Sequence, residues 1–120
     1  MNVLKHTIKK FIYGTLPYYF MKGYKPGSPY LKYYEYIKEH GYTKEFNHGT
    51  GHGVGLEIHE EPVANAKSDT VFSENMIITV EPGIYITGTI GLRIEDSVIV
   101  KSDGYEVLTH SPKELIEIGI

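Results

Sequence analysis

A chain of 120 residues with a net charge of −3, no cysteine, 41% apolar and 22% charged residues is one globular domain at most, long enough to bury a core. That composition excludes a disulfide scaffold, a thiolate zinc site and a cysteine nucleophile, and offers nucleic acid no basic footprint. No run approaches the roughly 20 apolar residues of a membrane span, and the opening MNVLKHTIKK lacks the apolar core and cleavage site of a signal peptide, so a cytoplasmic setting is expected.

The chain opens with helical patterning. Val3, Leu4, Ile8, Phe11 and Ile12 recur at helical spacing with Lys5, Lys9 and Lys10 between them, predicting a short amphipathic helix over residues 2–15. Gly14 and Pro17 should end or kink it. The next stretch is punctuated by Gly23, Pro26, Gly27 and Pro29 and reads as loop or broken helix. Ser28-Pro29 then makes a helix start, with Ser28 as N-cap and Pro29 in the first turn. Leu31, Tyr34 and Ile37 carry that helix to about residue 40, where Gly41 is a C-terminal stop. Most of the eleven tyrosines fall in these first 42 residues and read as packing residues of amphipathic helices.

From Tyr42 the character changes. Gly49, Gly51, Gly53 and Gly55 argue against helix, since each costs about 1 kcal/mol there relative to alanine. They suit an extended segment where backbones approach closely. Leu56 to His59 alternates and suggests a strand end, followed by a loop from Glu60 to about Asp69. Met76 to Val80 is a run of strand formers stopped by the turn signal Glu81-Pro82-Gly83. Ile84 to Ile86 is a short strand, and 87–91 a flexible connection. Leu92 to Val100 reads as one strand, Ser102-Asp103-Gly104 as a hairpin turn and Tyr105 to Thr109 as its return. Ser111-Pro112 opens a final helical turn. Helices over about 1–41 followed by antiparallel strands over 42–120 predict a single α+β domain.

Three of the six histidines, His48, His52 and His59, stand within twelve residues. The glycines rule out a helical pair at 48 and 52, and His59-Glu60-Glu61-Pro62-Val63 departs from HExxH at its last position, so a zincin helix is excluded. The three converge if the chain bends at its glycines; any one alone reads as a structural histidine bonded to backbone, and three together read as a site. Glu81 ends a strand of apolar residues, where a carboxylate needs a partner or a cation; otherwise it is a solvated turn residue. In Leu92–Val100 one of the adjacent Glu95 and Asp96 must face the core. Arg93 shares a face with Glu95, so an exposed Arg93–Glu95 salt bridge stands beside a metal role for Glu95. Imidazole and carboxylate donors without thiolate suit zinc, manganese, cobalt or iron, and two carboxylates with imidazoles suit a two-metal hydrolytic site.

The segments His48-Gly-Thr-Gly-His52-Gly-Val-Gly-Leu-Glu-Ile-His59-Glu60, Thr79-Val-Glu81-Pro-Gly-Ile-Tyr85 and Gly91-Leu-Arg93-Ile-Glu95-Asp96 resemble, in order and spacing, the C-terminal motifs of the Xaa-Pro peptidases. These are prolidase, aminopeptidase P and relatives, which share the creatinase/methionine aminopeptidase pita-bread fold. The resemblance covers roughly residues 26–118. It implies the C-terminal half of that fold, with two N-terminal helices on a curved, mostly antiparallel sheet. It implies His52, Glu81 and Glu95 as metal ligands, with Glu81 also the proton acceptor and Glu95 bridging two ions. His48 and His59 would be catalytic and substrate-binding residues of the pocket, and Arg93 would orient the carboxylates. The implied substrate is a proline-containing peptide cleaved before the proline.

Two further ligands of such a site are aspartates upstream of the histidine motif, and here the first aspartate is Asp69. The resemblance therefore implies a partial pita-bread domain holding at most one ion weakly. It would be active as a fragment or subunit when an N-terminal half chain supplies the aspartates. The alternative is an inactive truncated remnant that folds as a small module and self-associates as a homo-oligomer.

Overall fold

The computed structural model describes Glu35, residues 37–112, Ile116, Ile118 and Gly119. The predicted helix over 2–15, most of the helical part over 1–41, and most of the final turn after Ser111 lie outside the described residues. What is described of the second helix, Glu35 and residues 37–39, ends as predicted at Gly41. The Gly41 N–H donates to the Lys38 carbonyl (3.0 Å) and the Tyr42 N–H to the Ile37 carbonyl (3.1 Å). Gly41 has φ 81°. This is a Schellman cap, in which a left-handed residue turns its neighbours' N–H groups back onto the last free carbonyls. Ile37 is buried and Tyr42 packs against the same core, so the cap also fixes where the chain leaves the helix. Among the described residues no helix is long and apolar enough to cross a membrane.

The described residues then form seven strands: β1 (Gly51–Gly53), β2 (Glu60–Ala64), β3 (Ile77–Val80), β4 (Gly83–Ile86), β5 (Ile90–Arg93), β6 (Asp96–Lys101) and β7 (Gly104–Val107). They form a five-stranded antiparallel sheet in the order β2-β1-β3-β6-β7 and a two-stranded sheet of β4 and β5. Alternation decides what each face of the larger sheet does. On β3 and β6, Ile78 pairs with Val98, and these residues, with Val80 and Val100, face a core completed by Ile37, Phe46, Ala64, Phe72 and Ile84. Thr79 pairs with Ser97 on the opposite face, which looks into a cleft.

Three sequence expectations are corrected. The alternating stretch Leu56–His59 is a series of bends, and the strand comes after it, at Glu60–Ala64. Alternation needs a partner strand, and β1 pairs with 60–64 instead (Gly51 with Ala64, His52 with Val63). Pro62 is tolerated there because β2 is an edge strand, where a missing N–H costs no ladder bond. Leu56 and Ile58 are left exposed, at 105% and 78%.

The second correction is the single strand over 92–100. The chain changes sheets at Ile94-Glu95: β5 pairs with β4, β6 with β3 and β7. Asp96 is the one of the two adjacent acids that turns inward, 1% exposed, and its carboxylate accepts the Thr109 hydroxyl at 2.6 Å. Glu95 is exposed at the break. Third, the connection after β4 is shorter than predicted, since β5 begins at Ile90.

Candidate active site

The site is assembled by the pairing of β1 with β3. His52 is the central residue of β1, and Glu81 directly follows β3. The Glu81 N–H donates to the Thr50 carbonyl (2.7 Å), and the His52 N–H to the Thr79 hydroxyl oxygen (3.0 Å). These bonds bring β1 so close to β3 that a Cβ on Gly51 would lie 1.8 Å from the Thr79 carbonyl oxygen. Only a residue without a side chain fits that approach.

Glu81 is buried, 8% exposed, so the solvated-turn reading does not hold. Its carboxylate has protein partners on both oxygens. Oε1 accepts the Thr79 hydroxyl (2.9 Å) and lies 3.0 Å from Nε2 of His52. Oε2 accepts Nη1 of Arg93 at 2.8 Å. Such charge-assisted bonds are short and strong, and they offset the cost of burying the charge. The guanidinium also donates through Nε to the Tyr85 hydroxyl (2.7 Å), and it lies 5.7 Å from that ring's centroid. The ion-pair partner of Arg93 is thus Glu81 across the gap between the two sheets, not Glu95 two residues further along the chain. The break at Ile94-Glu95 removes the shared face that the sequence suggested.

All three motif histidines reach this region, each differently. Nδ1 of His52 donates to the Gly53 carbonyl (2.9 Å), which turns Nε2 toward Glu81. The bends over 55–59 carry His59 back until its ring stands 4.3 Å from that of His52, centroid to centroid. His48 lies between Phe46 and Tyr85, at 5.8 Å and 5.5 Å, and its Nδ1 donates to the Gly49 carbonyl. Two of the three therefore do bond backbone, as structural histidines would, but through Nδ1 alone. Nε2 of His48 is, among the described residues, the buried side-chain nitrogen or oxygen with no hydrogen bond. It points over Gly83, where a Cβ would meet it at 3.0 Å and the Tyr85 hydroxyl at 2.6 Å.

Two adjoining clefts, of ≈ 430 Å³ and ≈ 350 Å³, share His52, His59, Glu81 and Arg93 as walls. Glu95 lines the first and His48 the second. Sequence reasoning missed Thr79 and Tyr85. The signal for Tyr85 was its place two residues beyond Gly83 in an alternating strand, on the side of Arg93. Thr79 carried none beyond its place two before Glu81.

The donor set fits a divalent cation. With Nδ1 of His52 donating to a carbonyl, its Nε2 faces a carboxylate oxygen at 3.0 Å. A neutral imidazole would present a lone pair there, so the pair calls for a positive charge, a proton or a metal ion. Among the described residues no three histidine, aspartate or glutamate side chains are grouped closely enough to hold an ion without movement. His52 and Glu81 are in contact, and Glu95 stands apart on the cleft wall.

The sequence profile of metallopeptidase family M24 matches residues 20–102. The chain is 50% identical over 80 residues to a Xaa-Pro dipeptidase of Pyrococcus horikoshii, an alignment that takes in 67% of this chain and 23% of the relative. Its structure superposes on the Xaa-Pro dipeptidase of Bacillus anthracis with a TM-score of 0.89 and 44% identity, over 96% of this chain and 32% of that one. An X-Pro aminopeptidase of Thermotoga maritima gives a TM-score of 0.88 and 34% identity, over 94% and 32%. The chain thus spans a quarter to a third of the length of these relatives.

Proposed function

This chain belongs to metallopeptidase family M24 and has the pita-bread fold of its prolidase relatives, and on that premise we propose that it forms one wall of a site for metal-dependent hydrolysis of Xaa-Pro bonds. The observation that carries the reading is the buried Glu81 carboxylate. It is held by Thr79 and Arg93 and faces the His52 imidazole at 3.0 Å beside a cleft. His52, Glu81 and Glu95 are the metal ligands of this reading, suited to manganese, cobalt, zinc or iron. A bound ion would supply Lewis acidity and an activated water.

The chain's own residues do the rest. The Glu81 carboxylate takes up a proton from the attacking water and passes it on. Arg93 holds Oε2, so the carboxylate keeps one orientation while its charge changes. His48 offers its unpartnered Nε2 to a polar group of the bound peptide, and His59 lines the same cleft. The similarity to Xaa-Pro dipeptidases and to an X-Pro aminopeptidase supports a proline-containing peptide as substrate.

The wall is incomplete by itself. No aspartate precedes Asp69, and the relatives carry far more chain on the same frame. We therefore assign the active state to a complex in which further polypeptide supplies the missing carboxylates, with this chain alone holding at most one ion weakly. The test is Xaa-Pro hydrolysis with Mn²⁺ or Co²⁺ by this chain alone and mixed with the remaining segments of a relative. Activity in the mixture that disappears with Glu81→Gln is the expected outcome. A folded complex without activity would favour the second reading, an inactive module.

A further inference from the structure

Thr79 is 4% exposed, in a strand whose other buried residues, Ile78 and Val80, are aliphatic. A hydroxyl has one proton and two lone pairs. Its oxygen lies 3.0 Å from the His52 backbone nitrogen, which can only donate. The same oxygen lies 2.9 Å from Glu81 Oε1, which, ionised, can only accept. The assignment is therefore unique: His52 N–H donates to Thr79, and Thr79 O–H donates to Glu81.

We propose that Thr79 is a positioning residue that ties the backbone of His52 to the carboxylate of Glu81 and so presents the imidazole and the carboxylate as one unit to the cleft. This rests on the reading of those two residues as metal ligands. The last torsion of a glutamate side chain is broad and roughly two-fold, so burial alone does not orient the carboxylate plane. Two donors do: Thr79 on Oε1 and Arg93 Nη1 on Oε2. The remaining lone pairs then point away from both donors, and Oε1 keeps its 3.0 Å approach to His52 Nε2. Gly51 serves the same end by letting β1 lie against Thr79. Valine, of the same shape, would leave the His52 N–H without an acceptor and Oε1 one donor short.

The test compares T79V with T79S, which keeps the hydroxyl, in the full chain. In the metal-free state NMR reads the Glu81 carboxyl ¹³C and the His52 ring resonances. Both should shift in T79V and stay near wild type in T79S. Co²⁺ titration by absorbance should then show affinity lower by about tenfold or more in T79V and largely retained in T79S, the loss typical of groups that orient a ligand. Unchanged Glu81 and His52 resonances in a folded T79V would overturn the proposal, as would equal shifts in both variants. Should T79V not fold, wild type carries the test: the Thr79 hydroxyl proton should exchange slowly and show a cross-peak to the His52 amide, and a rapidly averaged hydroxyl overturns it. Absence of any Co²⁺ binding by wild type would defeat the ligand reading instead, while the metal-free resonances still decide the role of Thr79.

Discussion

Nε2 of His52 stands 3.0 Å from Oε1 of Glu81, with the two side chains 15% and 11% exposed. The contact links side chains 29 positions apart in sequence (81 − 52), and it sets the central histidine of the motif against a buried carboxylate. With Nδ1 donating to the Gly53 carbonyl, a proton or a divalent ion is what would lie between them, because both atoms offer lone pairs.

Isothermal titration with Mn²⁺ or Co²⁺ should therefore show weak binding of one ion by this chain. His52→Ala and Glu81→Ala should each reduce it at least about tenfold, since each removes a ligand from a set of three at most. Glu95→Ala should weaken it too. Two-ion binding by the unmixed chain would contradict the incomplete-wall reading.

Arg93 serves Tyr85 and Glu81 through different nitrogens. Arg93→Ala should cost about 1.5–3 kcal/mol, the range for a hydrogen bond to a charged group. Half-exposure of the arginine, at 43%, favours the lower end. Arg93→Lys should restore only part, because an ammonium cannot span both partners in the fork geometry of a guanidinium. Urea unfolding measures both, with the midpoint moving and the slope unchanged.

Gly51→Ala should be among the most damaging small substitutions. The new Cβ would lie 1.8 Å from a backbone oxygen in β3, and backbone cannot swing aside as a flexible side chain can. We expect a loss of at least about 3 kcal/mol, the upper range for overpacking, seen as a collapse of the urea midpoint. A near-neutral result would mean that β1 does not pack against β3 as described.

Gly41→Ala isolates backbone conformation, since nothing lies within 4 Å of its added Cβ and φ is +81°. The expected cost is about 1–2 kcal/mol, the penalty for an L-residue in the left-handed region. Thermal unfolding followed by circular dichroism would read it, with Gly41→Asn losing less.

Leu56 and Ile58 are exposed beside the cleft. Replacing both with serine should change the stability of the chain alone by no more than about 0.5 kcal/mol. The same change should weaken association with the added segments of a relative in the mixing experiment, because burying an aliphatic side chain contributes about 1.5–3 kcal/mol. Equal association by the variant and the wild type, measured by titration calorimetry, would remove this loop from the interface.

Several strands and turns, and residues that line the clefts, could be read from the chain. The turn chemistry at Glu81-Pro82-Gly83 and Ser102-Asp103-Gly104, the stop at Gly41 and the run Met76–Val80 act over a few residues, so local preference and final structure agree. The spacing of His48, His52 and His59 among glycines likewise announced close approach of backbones, which Gly51 realises against Thr79.

What escaped that reading depends on pairing between distant strands. Leu92 to Val100 has the composition of one strand, and nothing within it says that its halves belong to different sheets; the pairing of β5 with β4 and of β6 with β3 decides that. The partner of Arg93 follows from the same break. The Thr79 hydroxyl bonds a backbone 27 positions away, a distance at which no local pattern operates. Residue order carried the family motifs and the donor types of the cleft residues, because donor types and turn residues are intrinsic to the residues themselves. The tertiary structure alone decided which oxygen of Glu81 meets His52 and which meets Arg93, because hydrogen-bond direction exists only once the strands are side by side.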